Sequence, residues 1–265
     1  MIPSPDRNFD DLAQRFQRNV YASLKGNIRL RVLQRDFEEY LPAHDGAAKP
    51  WRILDAGGGQ GQMSVYFAGR GHNVVLCDIS REMLDLAERN LAQYDVNHAV
   101  ELRHAAIQDV AREQKQTFDL VVCHAVLEWV ADPRRLLTQL ALSLKPGGVL
   151  SLLYYNLNGL VYKNLLRTNF KKVKQRQWQG HRGSLTPSTP LQPHQIFTWL
   201  NDSSMQVMCE SGIRVFYDYI FNEEDRRRDP DAIIDMELRH SRVMPYKHLG
   251  RYIHLLCQKP ARARR

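Results

Sequence analysis

Trp51-Arg-Ile-Leu-Asp-Ala-Gly-Gly-Gly-Gln-Gly61 runs an apolar stretch into a carboxylate, Asp55, and then sets Gly57, Gly59 and Gly61 at alternate positions. Glycines so spaced let the backbone turn without a Cβ clash, approach a ligand closely and aim the free N–H groups of the following helix at it. That helix is expected to start near Gln62. An ordinary strand–helix loop could carry the same residues, so the turn alone does not make a site. A second carboxylate adds to it: His72-Asn-Val-Val-Leu-Cys-Asp78 reads as another buried strand, and Asp78 at its end can accept hydrogen bonds from both hydroxyls of a ribose. Position 62, where a dinucleotide pattern wants its third glycine, is Gln, and no Lys-Ser/Thr pair follows for a triphosphate. The spacing fits a nucleoside cofactor without a pyrophosphate.

Periodicity supplies the frame for these residues. Strands are predicted at 52–56, 73–78, 99–103, 118–124 and 148–155, and helices near 61–69, 80–94 and 133–144, with Gly71 as a cap and Lys145-Pro-Gly-Gly148 as a breaker. This alternation predicts an α/β fold, a Rossmann-like, mostly parallel sheet with right-handed crossovers that binds ligands beyond the carboxyl ends of its strands. A Pro-rich stretch, Thr186-Pro-Ser-Thr-Pro-Leu-Gln-Pro193, precedes a helix near 193–202, a strand pair near 205–220, a charged helix near 229–242 and a last strand over 250–257. With 265 residues, 43% of them hydrophobic, the chain is expected to be one domain, 1–265. It divides into a helical N-terminal cap (1–45), a cofactor-binding core (50–155), a basic insertion (156–200) and C-terminal strands and helix (201–265). No apolar run approaches the roughly 20 residues that span a bilayer, and the N-terminus lacks a basic-then-apolar leader. A cytoplasmic protein without a membrane partner is expected. Cys77, Cys123, Cys209 and Cys257 lie far apart with no C-x-x-C, which argues against a metal site and predicts reduced core thiols.

Charge is unevenly spread. Between Asp132 and Asp202 there is no Asp or Glu, yet this stretch holds ten Arg and Lys, a local +10 in a chain whose net charge is +8. A solvated face normally mixes both signs, so a surface that tracks phosphates is the better account. Lys171, Lys172, Lys174, Arg176 and Arg182 are its densest part and the candidate RNA contacts. Trp178, Tyr162 and Phe170 are interleaved with them and could stack on unpaired bases, although helical spacing makes core packing of Tyr162 and Phe170 equally reasonable.

In order, Leu54-Asp-Ala-Gly-Gly-Gly-Gln-Gly61, Asp78, Ala106-Ile-Gln-Asp109 and Leu144-Lys-Pro-Gly-Gly148 resemble the class I S-adenosylmethionine (SAM)-dependent methyltransferases. That resemblance implies a SAM site with Asp55, Gly57, Gly58 and Gly59 at the methionine and ribose, Asp78 on the ribose hydroxyls, and Gln108 and Asp109 beside the adenine; a helix N-cap is the plainer role for Asp109. Over nearly its whole length the chain is also similar to the tRNA carboxymethoxyuridine methyltransferases. Arg7-Asn-Phe-Asp-Asp11, His124-Ala-Val-Leu-Glu-Trp-Val-Ala-Asp-Pro133, the Leu-Thr-Pro at 185–187 and Gly250-Arg-Tyr-Ile-His254 carry this likeness. It implies methylation of the carboxylate of 5-carboxymethoxyuridine at the wobble position of a tRNA anticodon loop, and adds Arg29 and His124 to the SAM contacts.

The end of the fourth strand is consistent with such an acceptor. Val122-Cys123-His124-Ala125-Val126 lacks the Asp/Asn-Pro-Pro-aromatic turn of amine methylation, and Cys123 sits in an apolar run without a neighbouring cation to make it a thiolate. A carboxylate with a pKa near 4 is already ionised and needs no base. It does need a cationic clamp, for which Arg214 and Arg251 are the candidates, with Tyr155 and Asn156 at the same sheet end to orient the uridine; ion pairing of either arginine with Asp218 or Glu237 is the structural alternative. Two other classes share these features: a small-molecule O-methyltransferase acting on quinones or carboxylic acids, and an RNA-binding protein that keeps a methyltransferase fold.

Overall fold

The computed structural model describes residues 6–10, 23–42, 49–178, 186–187 and 189–261; Arg182 and Leu185 lie outside them. In chain order the elements are α1 (Leu24–Tyr40), β1 (Arg52–Ala56), α2 (Gln62–Ala68), β2 (Asn73–Asp78), α3 (Arg81–Gln93), β3 (Val100–His104), α4 (Ile107–Glu113), β4 (Phe118–His124), α5 (Pro133–Ser143) and β5 (Leu144–Tyr155). Then come α6 (Leu157–Leu166), α7 (Phe170–Lys174), α8 (Pro193–Asp202), β6 (Gln206–Ile213), α9 (Glu223–Arg228), α10 (Pro230–His240) and β7 (Tyr252–Gln258).

The strands form one sheet in the order β3-β2-β1-β4-β5-β7-β6. The first five are parallel, and β7 runs antiparallel to both β5 and β6. Side chains alternate between two buried faces, which is why the strands read as continuous apolar runs. Leu54, Val75, Val121 and Leu150 pack with Val110, Leu136 and Ile196 of α4, α5 and α8 on one side. Ile53, Val74, Leu120 and Val149 pack with Val32, Phe37 and Phe67 of α1 and α2 on the other. Caps set several boundaries: Ser80 accepts from the Met83 N–H, Asp132 from Arg135 and Asp229 from Ala232.

Two elements differ from their sequence expectations. Lys145-Pro-Gly-Gly148 does not break the chain but opens β5, because a register shift against β4 between Phe118 and Leu120 absorbs the extra residues. The strand pair at 205–220 is a single strand: at Arg214 the backbone turns into the left-handed region (φ 58°) and leaves the sheet for a short helical turn at Tyr217–Tyr219. Within the basic insertion the described residues form α6, α7 and most of α8.

Candidate functional site

Ends of β1, β2 and β4 open into a cleft that Asp55, Gly57, Gly58, Gly59, Asp78, Gln108, Arg29 and His124 all line. Its floor is a turn that side chains would fill. Gly57 has φ 69°, and a Cβ there would stand 2.7 Å from Val126 Cγ2, while one on Gly58 would stand 2.7 Å from the Asp55 carboxyl carbon. Asp55 Oδ2 accepts from the N–H and hydroxyl of Ser64, at 3.1 and 2.8 Å, bracing the first turn of α2. Complete burial pushes its pKa up to about 6. Asp78 does what the turn requires of a strand-end acid. It accepts from the N–H groups of Gly59 (3.0 Å) and Ser80 (2.9 Å), and burial raises its pKa.

A segment absent from the periodicity argument closes one side. Residues 6–10 cross the cleft mouth and hold both walls: the Asp6 carboxylate accepts from Gln108 Nε2 (2.7 Å) and the Ala131 N–H (2.8 Å), and Asp10 accepts from the Ser80 hydroxyl (2.5 Å). The Phe9 ring stands edge-on to Trp129, centroids 5.0 Å apart. Asp109, by contrast, is exposed in the first turn of α4 and pairs with Arg112 at 2.6 Å. Its side chain is outside the cleft because helical geometry turns it from the face that Gln108 presents, and it is not the N-cap either, which is Ala106.

Beyond the same sheet end lies a cationic cluster. Arg214 Nη2 and Arg251 Nε each stand 3.5 Å from Oδ2 of the buried Asp218. Burial would raise the Asp218 pKa, but Arg214 and Arg251, helped by Lys163 and Lys25, hold it well below the usual carboxylate range. Burial and the two arginines bring Lys163 down to about 8, although Asp218 pulls it up. Four cations thus act on one carboxylate, and the two arginines stand farther from it than in tight charge-assisted hydrogen bonds. The Tyr252 ring is near both Arg29, which lines the cleft, and Arg214 of this cluster, with their guanidinium carbons 5.5 and 5.4 Å from its centroid.

Tyr155 and Asn156 have other tasks than the one expected. Tyr155 is 1% exposed and lies beneath the Arg251 guanidinium at 4.8 Å, with burial pushing its phenol up to about 12. Asn156 is spent on the backbone, donating to the carbonyls of His248 and Gly250 and capping α6. The four cysteines are buried, and burial raises each thiol, so none is poised as a nucleophile.

The basic stretch is not one surface. Arg134 pairs with Asp202 and Lys145 with Asp119, both acids outside it, and Lys145 sits at the opposite end of the sheet from the cleft. Lys171, Lys172, Lys174 and Arg176 remain together on and after α7, with Arg167 stacked over Phe221 at 5.1 Å. Phe170 and Phe221 are 53% and 45% exposed, and Tyr162, packed edge-on to Tyr219, is 38% exposed, so these aromatics are surface and not core. Among the described residues no cluster of His, Cys, Asp and Glu could hold a metal ion, and no helix is long and apolar enough to cross a membrane.

Comparison with known proteins agrees with this geometry. Residues 54–152 match the methyltransferase domain family. The chain is 43% identical over 255 residues, 96% of its length and 97% of the relative's, to the tRNA 5-carboxymethoxyuridine methyltransferase of Escherichia coli (strain K12). It is 37% identical over 101 residues to a ubiquinone biosynthesis O-methyltransferase of Xanthomonas campestris pv. campestris, covering 38% of this chain and 41% of that one. Among solved structures, the geranyl diphosphate C-methyltransferase of Streptomyces coelicolor A3(2) superposes with a TM-score of 0.58 at 16% identity, covering 97% of this chain and 100% of that one. That likeness concerns the fold.

Proposed function

The chain belongs to the family of the tRNA 5-carboxymethoxyuridine methyltransferases, and we propose that it esterifies the carboxylate of 5-carboxymethoxyuridine at the wobble position of the tRNA anticodon loop, in the cytoplasm. SAM is the cofactor, and its sulfonium supplies the methyl group. The cleft suits it: the glycine turn leaves no room for side chains where the backbone must approach a ligand, and Asp78 is a half-buried acceptor at the strand end where a ribose would lie. Gly57, Gly58, Gly59, Asp78, Gln108, Arg29 and His124 are assigned to hold it.

The observation that carries the acceptor is the pair of arginines sharing Asp218 next to this cleft. An incoming carboxylate completes a site that has a surplus of positive charge. Arg214 and Arg251 bind and orient it, Tyr155 supports Arg251 from below, and Asp218 keeps both guanidinium groups in place. No residue has to remove a proton, because the acceptor arrives ionised. The contribution of the protein is alignment and exclusion of water, effects worth several kcal/mol. Lys171, Lys172, Lys174 and Arg176 take the phosphates of the loop, and Phe170, Phe221 and Tyr162 offer stacking surfaces for its splayed bases.

The test is the product. Purified protein, SAM and tRNA bearing 5-carboxymethoxyuridine should yield a wobble nucleoside heavier by one methylene and cleaved back by mild base, as an ester is. A methyl group on a ring nitrogen or on ribose would refute the acceptor assignment. A small-molecule acceptor is the weaker reading, because it gives no role to the exposed aromatic and basic face of α6 and α7.

A further inference from the structure

Four side chains from four elements form an unbroken chain of hydrogen bonds through the core. Oδ2 of Asp36 (α1) is 2.7 Å from Nδ1 of His254 (β7), Nε2 of His254 is 2.9 Å from the hydroxyl of Ser151 (β5), and that hydroxyl is 2.8 Å from Nε2 of His124 (β4). Asp36, Ser151 and His254 are each 0% exposed. The other oxygen of Asp36 accepts from Arg35 (2.8 Å) and Arg242 (2.5 Å). Burial opposes the ionised form, but His254 and Arg35 outweigh it and hold Asp36 as a carboxylate.

Proton positions follow from these contacts in sequence. A carboxylate only accepts, so His254 carries a hydrogen on Nδ1. Two guanidinium groups already face the single charge of Asp36, and a second proton on the His254 ring would add another buried positive charge beside them. Nε2 of His254 is therefore an acceptor. Ser151 has one hydrogen, gives it to His254, and can only accept from His124. His124 thus bears its proton on Nε2, and burial, with the Arg29 guanidinium nearby, keeps the ring neutral. Its Nδ1 is buried, has no hydrogen-bond partner among the described residues, and belongs to a ring that lines the cofactor cleft. The order Asp, His, Ser resembles a nucleophilic triad, but Ser151 is inaccessible and its hydroxyl is engaged on both sides.

We infer that Asp36, His254 and Ser151 are positioning residues that lock His124 in the Nε2–H tautomer, so that its bare Nδ1 accepts a hydrogen bond from the ammonium group of bound SAM. The hydrogen bond made by one imidazole nitrogen decides what the other can do. A proton on Nδ1 would instead turn a donor toward a ligand end that is itself a donor and positively charged. The inference rests on SAM occupying this cleft and not on the identity of the methyl acceptor.

Nitrogen-15 histidine NMR of the whole protein, with the His124 signals assigned through His124→Gln, reads which ring nitrogen is protonated. In the wild type Nε2 should carry the proton and Nδ1 should be bare from about pH 6 to pH 8, and the Nδ1 shift should move when SAM is added. Ser151→Ala should lose the single tautomer and bind SAM about tenfold more weakly by calorimetry, the loss expected of one hydrogen bond to a charged group. A proton on Nδ1 in the wild type overturns the inference, as does Ser151→Ala with unchanged tautomer and affinity. Should that variant not fold, the wild-type spectra with and without SAM decide alone.

Discussion

Arg214 and Arg251 converge on one atom, each 3.5 Å from Oδ2 of Asp218. The antiparallel β6–β7 pair brings them together, with Ile213 opposite Tyr252 and the Arg251 N–H donating to the Arg214 carbonyl at 3.4 Å. One end of this strand pair therefore carries two planar cations, and the acid they share is too distant from either for a close hydrogen bond.

Lysine at either position should preserve charge and lose function. Arg214→Lys or Arg251→Lys is expected to cut kcat/KM for tRNA by about 10- to 100-fold, because an ammonium cannot copy the planar fork that fixes a carboxylate. Calorimetric SAM affinity should stay at the wild-type value. Full turnover by both variants would place the clamp elsewhere.

Removal of the ribose acceptor should act on the cofactor alone. Asp78→Ala should weaken SAM binding by roughly 1.5–3 kcal/mol, the range for hydrogen bonds to a charged group. Asp78→Asn should lose less, since one oxygen remains for the Gly59 or Ser80 N–H. Unchanged affinity in the alanine variant would take Asp78 out of the site.

The pH dependence of stability should expose a buried acid. Glu128 is 2% exposed, and burial pushes its pKa up to about 7 from an ordinary 4.5. The folded state then holds this proton more tightly than the unfolded chain, so stability falls as pH rises from 4.5 to about 7. Glu128→Gln should be equal to wild type below that window and more stable above it, by about 3 kcal/mol at most. Denaturant melts at pH 4 and pH 8 check it; a constant difference between the two proteins would contradict it.

Neutralising Lys171, Lys172 and Lys174 together should weaken tRNA binding and flatten the plot of log affinity against log salt by about two units, at roughly 0.7 per lost phosphate contact on a single-stranded loop. SAM binding should not change. An unaltered slope would leave these lysines facing solvent.

The rate of methyl transfer, measured in single turnovers, should show no ascending limb between about pH 6 and pH 9, because the acceptor is ionised throughout. A limb there would demand a base.

Sequence reading was most accurate where local physics decides the outcome. β2 and β4 fall at their expected bounds because strands buried on both faces are apolar from end to end, and α8 begins where Pro193 permits it. It erred where a partner decides: Pro146 and Gly147 read as a stop until β4 is seen to accommodate them with a bulge. Asp109 followed a motif that fixes chain position but not the direction of a side chain. The hydrogen-bonded chain behind His124 had no local signal at all. Asp36, Ser151 and His254 are isolated polar residues on apolar faces of three elements, and only the sheet order β4-β5-β7 makes them neighbours. Phe170 and Tyr162 fit a core pattern by helical spacing, yet both are exposed, because spacing sets which face of a helix a residue shares and not what covers that face.

The antiparallel entry of β7 has a consequence for descent. Because this strand runs back against β5, its first residue, Tyr252, and the Arg251 that precedes it arrive beside Tyr155 and Asn156, where the parallel strands end. The residues proposed to seat the donor come from the first 155 positions, while both arginines proposed as the clamp come from the last 52. Mutation in the later stretch can retune or replace the acceptor while the earlier stretch is inherited intact, so related chains can share one methyl donor and diverge in what they modify.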